Sequence, residues 1–435
     1  MIDLADFRKR PDAYRDAAKK KRVKIDIDAF LKLDEERRVL LHAVETKRAE
    51  KNKVSAEVPK MKGDDKAKAV AAMKELGAEL KAGEERLKEI EVLWNDLQLR
   101  LPGIPLPQVP EGKDDTENKE IRKWGDLPKF AFEPKDHVTL GADLDIVDIP
   151  RGVKVAGSRS YILKGDGARL ELAIHLFALD LLHKRGFTQL NPPVLASYDA
   201  MMGTSYFPGG EEQAYAVGVQ QKRTEPITPD DLYLIGTAEV PVTSYHSGEV
   251  LKLSELPKRY VGFSSGFRRE AGTYGKDTKG LYRVHQIQKV EQVILCEGDA
   301  AVSAKMHAEI LANAEAVMQA LKLPYRVVDV CTGDMGLGQV YKNDIETWMP
   351  SRNGYGETHS CSTFHDFQSR RLNIKYEAAD GTKKFVHTLN NTCIATPRVL
   401  IPILEIYQNA DGSVTVPEVL RPYMGGQEKI VCKTA

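Results

Sequence analysis

The chain has 435 residues, more than one compact core accommodates, so two or more units are expected. Lys plus Arg and Asp plus Glu balance at 63 each, so net charge does not mark a nucleic-acid binder, although local basic patches remain open. The five cysteines are scattered, with no C-x-x-C pair, which argues against a disulfide framework or zinc knuckle and for a reducing, cytoplasmic setting.

The N-terminal stretch MIDLADFRKRPDAYRDAAKKKR lacks an apolar h-region, and no run approaches the length of a membrane span, so neither secretion nor membrane association is expected. Residues 28–101 contain only Phe30 and Trp94 as aromatics and only Pro59 as proline. Apolar positions step by three and four through Met73, Leu76, Leu80, Gly83, Leu87, Ile90, Trp94, Leu97 and Leu101. The same steps run earlier through Phe30, Leu33, Arg37, Leu40, Val44, Lys47, Lys51, Val54, Val58 and Met61. Both are heptad seams, and Lys62-Gly63-Asp64-Asp65 between them reads as a turn, which predicts an antiparallel two-helix coiled-coil arm. Each helix would be roughly 50 Å long at 1.5 Å per residue. Lys47 and Lys51 lie on the seam, where their stems can cover the partner while the ammoniums stay wet. Lys47, Arg48, Lys51, Lys53, Lys60 and Lys62 form a basic cluster near the tip, readable as a phosphate track or as an ordinary solvated face.

The proline-rich LPGIPLPQVP over residues 101–110 ends the arm, giving a boundary between residues 1–110 and 111–435. Beyond it, residues 169–185 are periodic at helical spacing with Gly186 as C-cap. Strand-like runs follow at 187–190, 232–236, 260–270, 283–296, 325–330 and 385–389, and a helix is expected over 300–321. Many strands with few intervening helices predict an α+β fold on a mainly antiparallel sheet flanked by helices. Neither a Rossmann glycine turn nor a P-loop is present.

The segment FRREAGTYGKDTKGLYRVHQIQKVE, residues 267–291, carries the chemistry. Read as an antiparallel hairpin, it turns Arg268 and Glu270 to one face, and Arg283, Ile287 and Glu291 to one face. These charges sit among Val261, Phe263, Phe267, Val290, Val293 and Ile294, and charges in such surroundings need partners or a ligand; arginine forks suit phosphate or carboxylate. Gly236-Thr237-Ala238-Glu239 follows an apolar strand, and Glu357-Thr358-His359-Ser360 offers oxygens of the kind that hold Mg²⁺. Thr396-Pro397-Arg398 reads as a helix start, with Thr396 as N-cap, Pro397 at the first position and Arg398 in the first turn, which favours an anion. Pro402, six residues in, is then expected to kink that helix.

In this order the pieces resemble the class II aminoacyl-tRNA synthetases, and within them the seryl branch. GFTQLNPPVL with its preceding helix resembles motif 1, FRRE through RVHQIQKVE motif 2, and HTLNNTCIATPRVLIPILE motif 3. The helical arm, the TAE triplet and the closing VPEVLRPYM are similar to the seryl branch specifically. The resemblance implies an ATP-dependent ligation of L-serine to tRNA(Ser) through a seryl-adenylate, with tRNA(Sec) as a second acceptor, by a homodimer whose arm grips the tRNA.

It also implies roles. Arg268 would bind the α-phosphate and the serine carboxylate, Glu270 the adenosine, and Arg283 and Arg398 the outer phosphates, Arg398 also lying on the adenine. Arg269, Val284, Ile287, Thr358 and His359 would complete the ATP site. Glu357 and Ser360 would hold Mg²⁺. Thr237, Ala238 and Glu239 would surround the serine α-amino group, and Glu291 and Thr392 would read its hydroxyl. Ile287 stands where motif 2 usually carries an aromatic residue, so adenine would pack on an aliphatic side chain. The loop over residues 271–282, with three glycines, Lys276 and Lys279, is expected to order against ATP or the tRNA acceptor end. Two other readings are a ligase of the same core with a carrier-protein acceptor, against which the arm argues, and a non-catalytic paralogue, against which the intact charged set argues.

Overall fold

The computed structural model describes residues 1–218, 232–272 and 280–432. The chain divides into two units, Met1–Pro102 and Gly103–Ala435.

In the first unit two short helices, α1 (Leu4–Lys9) and α2 (Pro11–Lys20), precede two long ones, α3 (Ile27–Glu57) and α4 (Gly63–Leu99), which pair as an antiparallel coiled coil. The expected seam is the observed one. Phe30, Val44, Leu80, Leu87, Ile90, Trp94 and Leu101 are buried, and the remaining seam positions, Lys47 and Lys51 included, are half-buried. The Lys47 ammonium reaches Glu79 at 2.7 Å, so its stem crosses the seam while the charge stays at the surface. The glycine in the seam has a packing reason: a Cβ on Gly83 would stand 3.0 Å from Val44 Cγ2. At the base, Phe7, Phe30 and Trp94 pack with ring centroids 5.4 and 6.1 Å apart. Asp34 is buried there and accepts a two-pronged Arg8 fork at 2.7 and 3.0 Å and the Trp94 indole N–H at 3.0 Å. Burial alone would raise this carboxyl; the fork and the indole outweigh it and hold Asp34 below its ordinary value.

The second unit is built on one eight-stranded sheet. In chain order its strands are β1 (Lys119–Trp124), β2 (Thr188–Leu190), β3 (Lys258–Phe267), β4 (Gln286–Cys296), β5 (Tyr325–Asp329), β6 (Tyr341–Met349), β7 (Gly354–His365) and β8 (His387–Thr396). The spatial order is β1-β5-β6-β7-β8-β4-β3-β2, antiparallel throughout except for the β2–β3 pair. The helices that position the site are α5 (His137–Asp143), α6 (Asp166–Lys184), α7 (Glu239–Ser244), α8 (Ala300–Ala320), α9 (Phe367–Leu372) and α10 (Leu400–Ile406). The main core contains Leu170, Ile174 and Leu182 of α6 and Ile310, Ala314 and Val317 of α8, together with apolar residues of the sheet.

Alternation along the central strands then decides which side chains face the cleft. Gln292 and Asn391 both donate to the Ile310 carbonyl on α8, at 3.0 and 2.7 Å. Their chain neighbours Glu291 and Thr392, paired across β4 and β8, therefore point to the other face.

Several expectations are corrected. Strands β6 and β7 were not anticipated, because their polar stretches, KND and ETHS, interrupt any apolar alternation. The hairpin strands are shorter than expected: pairing ends at Gln286 opposite Phe267, so Arg268, Glu270 and Arg283 lie beyond the strand ends. Glu270 there adopts φ +52°, which an extended strand cannot continue through. Thr396 is not a helix cap. It ends β8, and its hydroxyl donates to Glu171 of α6 at 2.6 Å. The helix begins at Leu400, so Arg398 sits in the strand-to-helix connection. Pro402 is consequently the third helical residue, among positions whose N–H has no intrahelical acceptor, and its missing donor breaks no bond.

Candidate active site

The loops at the ends of β3, β4, β7 and β8 converge on a cleft of about 630 Å³, lined by Glu239, Arg268, Glu270, Arg283, Glu357 and Arg398 among others. A smaller crevice of about 70 Å³ shares Arg268, Glu270, Arg283, Glu357 and Arg398 and adds Val284, Ile287, Lys289, Thr358, Ser360 and Thr392. Segments separated by more than a hundred residues thus bring three guanidiniums and three carboxylates to one wall.

Each charged group is held. Arg268 donates its N–H to His285 and, through Nε, to the Gly236 carbonyl at 3.3 Å, which ties the hairpin to the TAE segment. Arg283 Nη1 meets Glu270 Oε2 at 2.7 Å. Arg398 Nε donates to the Tyr282 carbonyl at 3.1 Å and Nη1 to the Glu357 carbonyl at 2.9 Å, and its guanidinium lies 4.5 Å above the Tyr282 ring. The flat fork is thereby laid out as a stacking surface.

Glu357 and Ser360 are three residues apart, so a regular strand would turn them to opposite faces. The register of β7 against β6 slips between Ile345 and Glu346, and this bulge lets both line the crevice. Glu357 keeps 46% of its side chain exposed, and its Oε2 lies 3.6 Å from Arg398 Nη1. Two oxygen donors opening on solvent fit a hard divalent ion that keeps waters and shares a substrate phosphate.

Deeper in, a polar pocket is built around Lys289. Its ammonium lies 2.6 Å from Glu291 and 3.1 Å from the Thr237 hydroxyl, with lysine and glutamate both buried. Glu239 accepts from Tyr206 at 3.2 Å and from Gln368 of α9 at 2.8 Å. Burial, with the nearby Glu291 charge, pushes Glu239 up to about 7. Burial likewise raises Glu291, against the opposing pull of Lys289.

Not every expected residue reaches the cavities. Thr237 and Glu291 sit immediately behind them, joined through Lys289. Ala238 is in a core cluster. Arg269 is exposed, its N–H bonded to the Gln213 carbonyl at 3.0 Å. His359 is buried beside Thr358, and burial pushes it down to about 3, so it stays neutral. Of the loop 271–282 that was expected to order, residues 273–279 lie outside the described residues. Lys289, Tyr206, Gln368 and Tyr282 were missed. The alternation that put Ile287 and Glu291 on one face includes Lys289 between them. Tyr206 and Gln368 are remote in sequence and carry no local signal.

Residues 1–105 match the family of the seryl-tRNA synthetase N-terminal domain, and residues 223–407 that of the class II tRNA synthetase core domain (G, H, P, S and T). Among curated relatives, the serine–tRNA ligase of Deinococcus radiodurans is 46% identical over 98% of both chains. That of Thermodesulfovibrio yellowstonii is 45% identical over 98% of this chain and 99% of the relative. Among solved structures, the seryl-tRNA synthetase of Pyrococcus horikoshii complexed with ATP superposes with a TM-score of 0.90 at 38% identity, covering 100% of both chains. The cytoplasmic serine–tRNA ligase of Naegleria fowleri in complex with AMP gives 0.83 at 31% identity, covering 98% of this chain and 96% of the other.

Proposed function

The chain belongs to the seryl-tRNA synthetases, the serine–tRNA ligases of class II, and from that premise we propose how its residues carry out the ATP-driven joining of serine to tRNA. A serine carboxylate oxygen attacks the α-phosphorus of ATP in line. The new bond is the acyl phosphate of seryl-adenylate; the bond to the β-phosphate breaks and pyrophosphate leaves. A ribose hydroxyl of the tRNA terminal adenosine then attacks the acyl carbon, and AMP leaves.

Such phosphoryl transfer needs charge neutralisation and alignment more than a protein nucleophile. Arg268 spans the serine carboxylate and the α-phosphate, and Arg283 and Arg398 take the outer phosphates. Arg398, already laid flat over Tyr282, also covers the adenine, with Ile287 on the crevice wall beneath it. Glu270 turns from Arg283 toward the adenosine. Glu357 and Ser360 would hold Mg²⁺, which supplies charge neutralisation for the leaving pyrophosphate. Thr237 and Glu239 receive the α-amino group, and Glu291 and Thr392 bond the hydroxyl. Alanine would leave that buried pair unsatisfied, which disfavours it by about 10⁴.

The observation that carries this reading is the buried polar cluster of Thr237, Glu239, Lys289 and Glu291, which reaches the arginine-lined cleft through Glu239 and its neighbouring crevice through Lys289. We assign residues 1–110 as the tRNA-binding arm and 111–435 as the catalytic part of a cytoplasmic homodimer that charges tRNA(Ser) and, as a second acceptor, tRNA(Sec). Serine-dependent ATP–pyrophosphate exchange tests the adenylate step, and charging of each purified tRNA tests the acceptors. Charging without any serine-dependent exchange would refute the adenylate. Sedimentation at micromolar concentration as a monomer would refute the dimer.

A further inference from the structure

Under the strap that carries Tyr282 and Arg283 into the cleft lies a buried pair that the mechanism above does not use. His137 opens α5, and Glu405, fully buried, lies near the end of α10. Glu405 Oε1 accepts the main-chain N–H of His137 at 3.0 Å and pairs with its ring Nδ1 at 2.7 Å; Oε2 accepts the Ser351 N–H at 2.9 Å. His137 Nε2 accepts the main-chain N–H of Leu281 at 3.2 Å. These partners together select the tautomer with the proton on Nδ1 and a bare Nε2. The strap rests directly on the ring: Gly280 has φ +78°, and a Cβ there would stand 2.2 Å from His137 Nε2.

What this pair holds in place is the support of Arg398. Leu281, anchored by His137, precedes Tyr282, whose carbonyl accepts from Arg398 Nε and whose ring lies under the Arg398 guanidinium. Ser351, anchored by Glu405, precedes Arg352, whose guanidinium lies 4.2 Å over the same ring. One buried carboxylate thus reaches the Tyr282 platform by two routes.

We propose that His137 and Glu405 are positioning residues for the ATP site, setting the height and tilt of Tyr282 and through it the Arg398 fork. Neither touches the nucleotide. The proposal rests on the assignment of Arg398 to ATP. A misplacement of about 1 Å in such a group is enough to cost on the order of 100-fold.

The test is pyrophosphate exchange at varied ATP and varied serine, with thermal melting of the same full-length preparations. Arg398→Ala is the reference: if it leaves the ATP dependence unchanged, the site assignment fails, whatever the dyad variants do. With Arg398→Ala impaired, His137→Phe is expected to raise the KM for ATP about tenfold or more. The KM for serine should stay within about twofold, and His137→Gln, which can donate to Glu405 and accept from Leu281, should restore most of the loss. Gly280→Ala, which lifts the strap off the ring but leaves the pair intact, is expected to give the same ATP-selective defect, and it decides the matter if His137→Phe does not fold. Variants that melt well above the assay temperature with an unchanged KM for ATP, or with both KM values raised alike, overturn the proposal.

Discussion

Arg268 bridges two parts of the cleft, one guanidinium between the end of the hairpin and the TAE segment. Replacing it with alanine removes the guanidinium proposed to span both reactants, so exchange is expected to fall by about 10²–10³ or more with the melting temperature little changed. Near-normal exchange would remove Arg268 from the reaction. Glu239 makes a second prediction. Burial among Tyr206, Gln368, Lys289 and Glu291 pushes its carboxyl up to about 7, so it gains a proton as pH falls through neutrality. A protonated Glu239 has no charge to offer an ammonium. The KM for serine should therefore rise as pH drops from 8 to 6, and Glu239→Gln should have a high, pH-insensitive value. A KM for serine that is flat in the unaltered chain would contradict the role.

At the level of elements, the position of a proline within its helix decides its effect. Pro402 occupies the first turn of α10, so Pro402→Ala is expected to shift stability by less than about 1 kcal/mol, against about 3 for an interior proline. Thermal melts distinguish the two. The arm gives a sharper experiment. Asp34, Arg37 and Trp94 knit its base, with the Arg37 guanidinium 4.3 Å over the Trp94 ring. A cut that spares them, replacing residues 39–89 by a short linker, should leave serine-dependent exchange intact and abolish tRNA charging. Charging that survived would make the coiled coil a purely structural appendage.

Across the whole molecule, stability should depend on pH through buried imidazoles. Burial pushes His175, His307 and His387 down to about 4 and His359 to about 3, so all four are neutral in the folded state. Unfolded histidine takes up a proton below about 6.5, so this stabilisation is complete above 6.5 and is lost as pH falls toward 4, by up to about 1.4 kcal/mol per pH unit per group. Glu239 works the other way: its raised folded value makes the native state bind the extra proton between about 7 and the ordinary glutamate range. Asp344, raised by burial, acts in the same sense. The melting temperature should fall from pH 6.5 downward, and fall more steeply in Glu239→Gln. A melting temperature constant from pH 7 to 4.5 in both forms would contradict this balance.

The arm, the α+β class and the grouping of the charged residues were legible in the sequence, because heptad spacing, strand alternation and short motifs are local properties of the chain. The seam predictions held residue by residue, since a two-helix coiled coil buries the positions that the heptad repeats; Asp34 and Gln98, outside the repeat, are buried as well. Other features arose only from how distant segments pack. Glu357 and Ser360 share a face only through a bulge of β7 in its pairing with β6, and the helix after Thr396 starts late because β8 and Glu171 claim that residue first. Lys289 is drawn to Thr237 and Glu291 by burial, and Tyr206 and Gln368 join Glu239 from distant stretches. Apart from Lys289 and Glu291, which one strand alternation places together, these are contacts between segments far apart in the chain, and no local periodicity encodes which of them will meet.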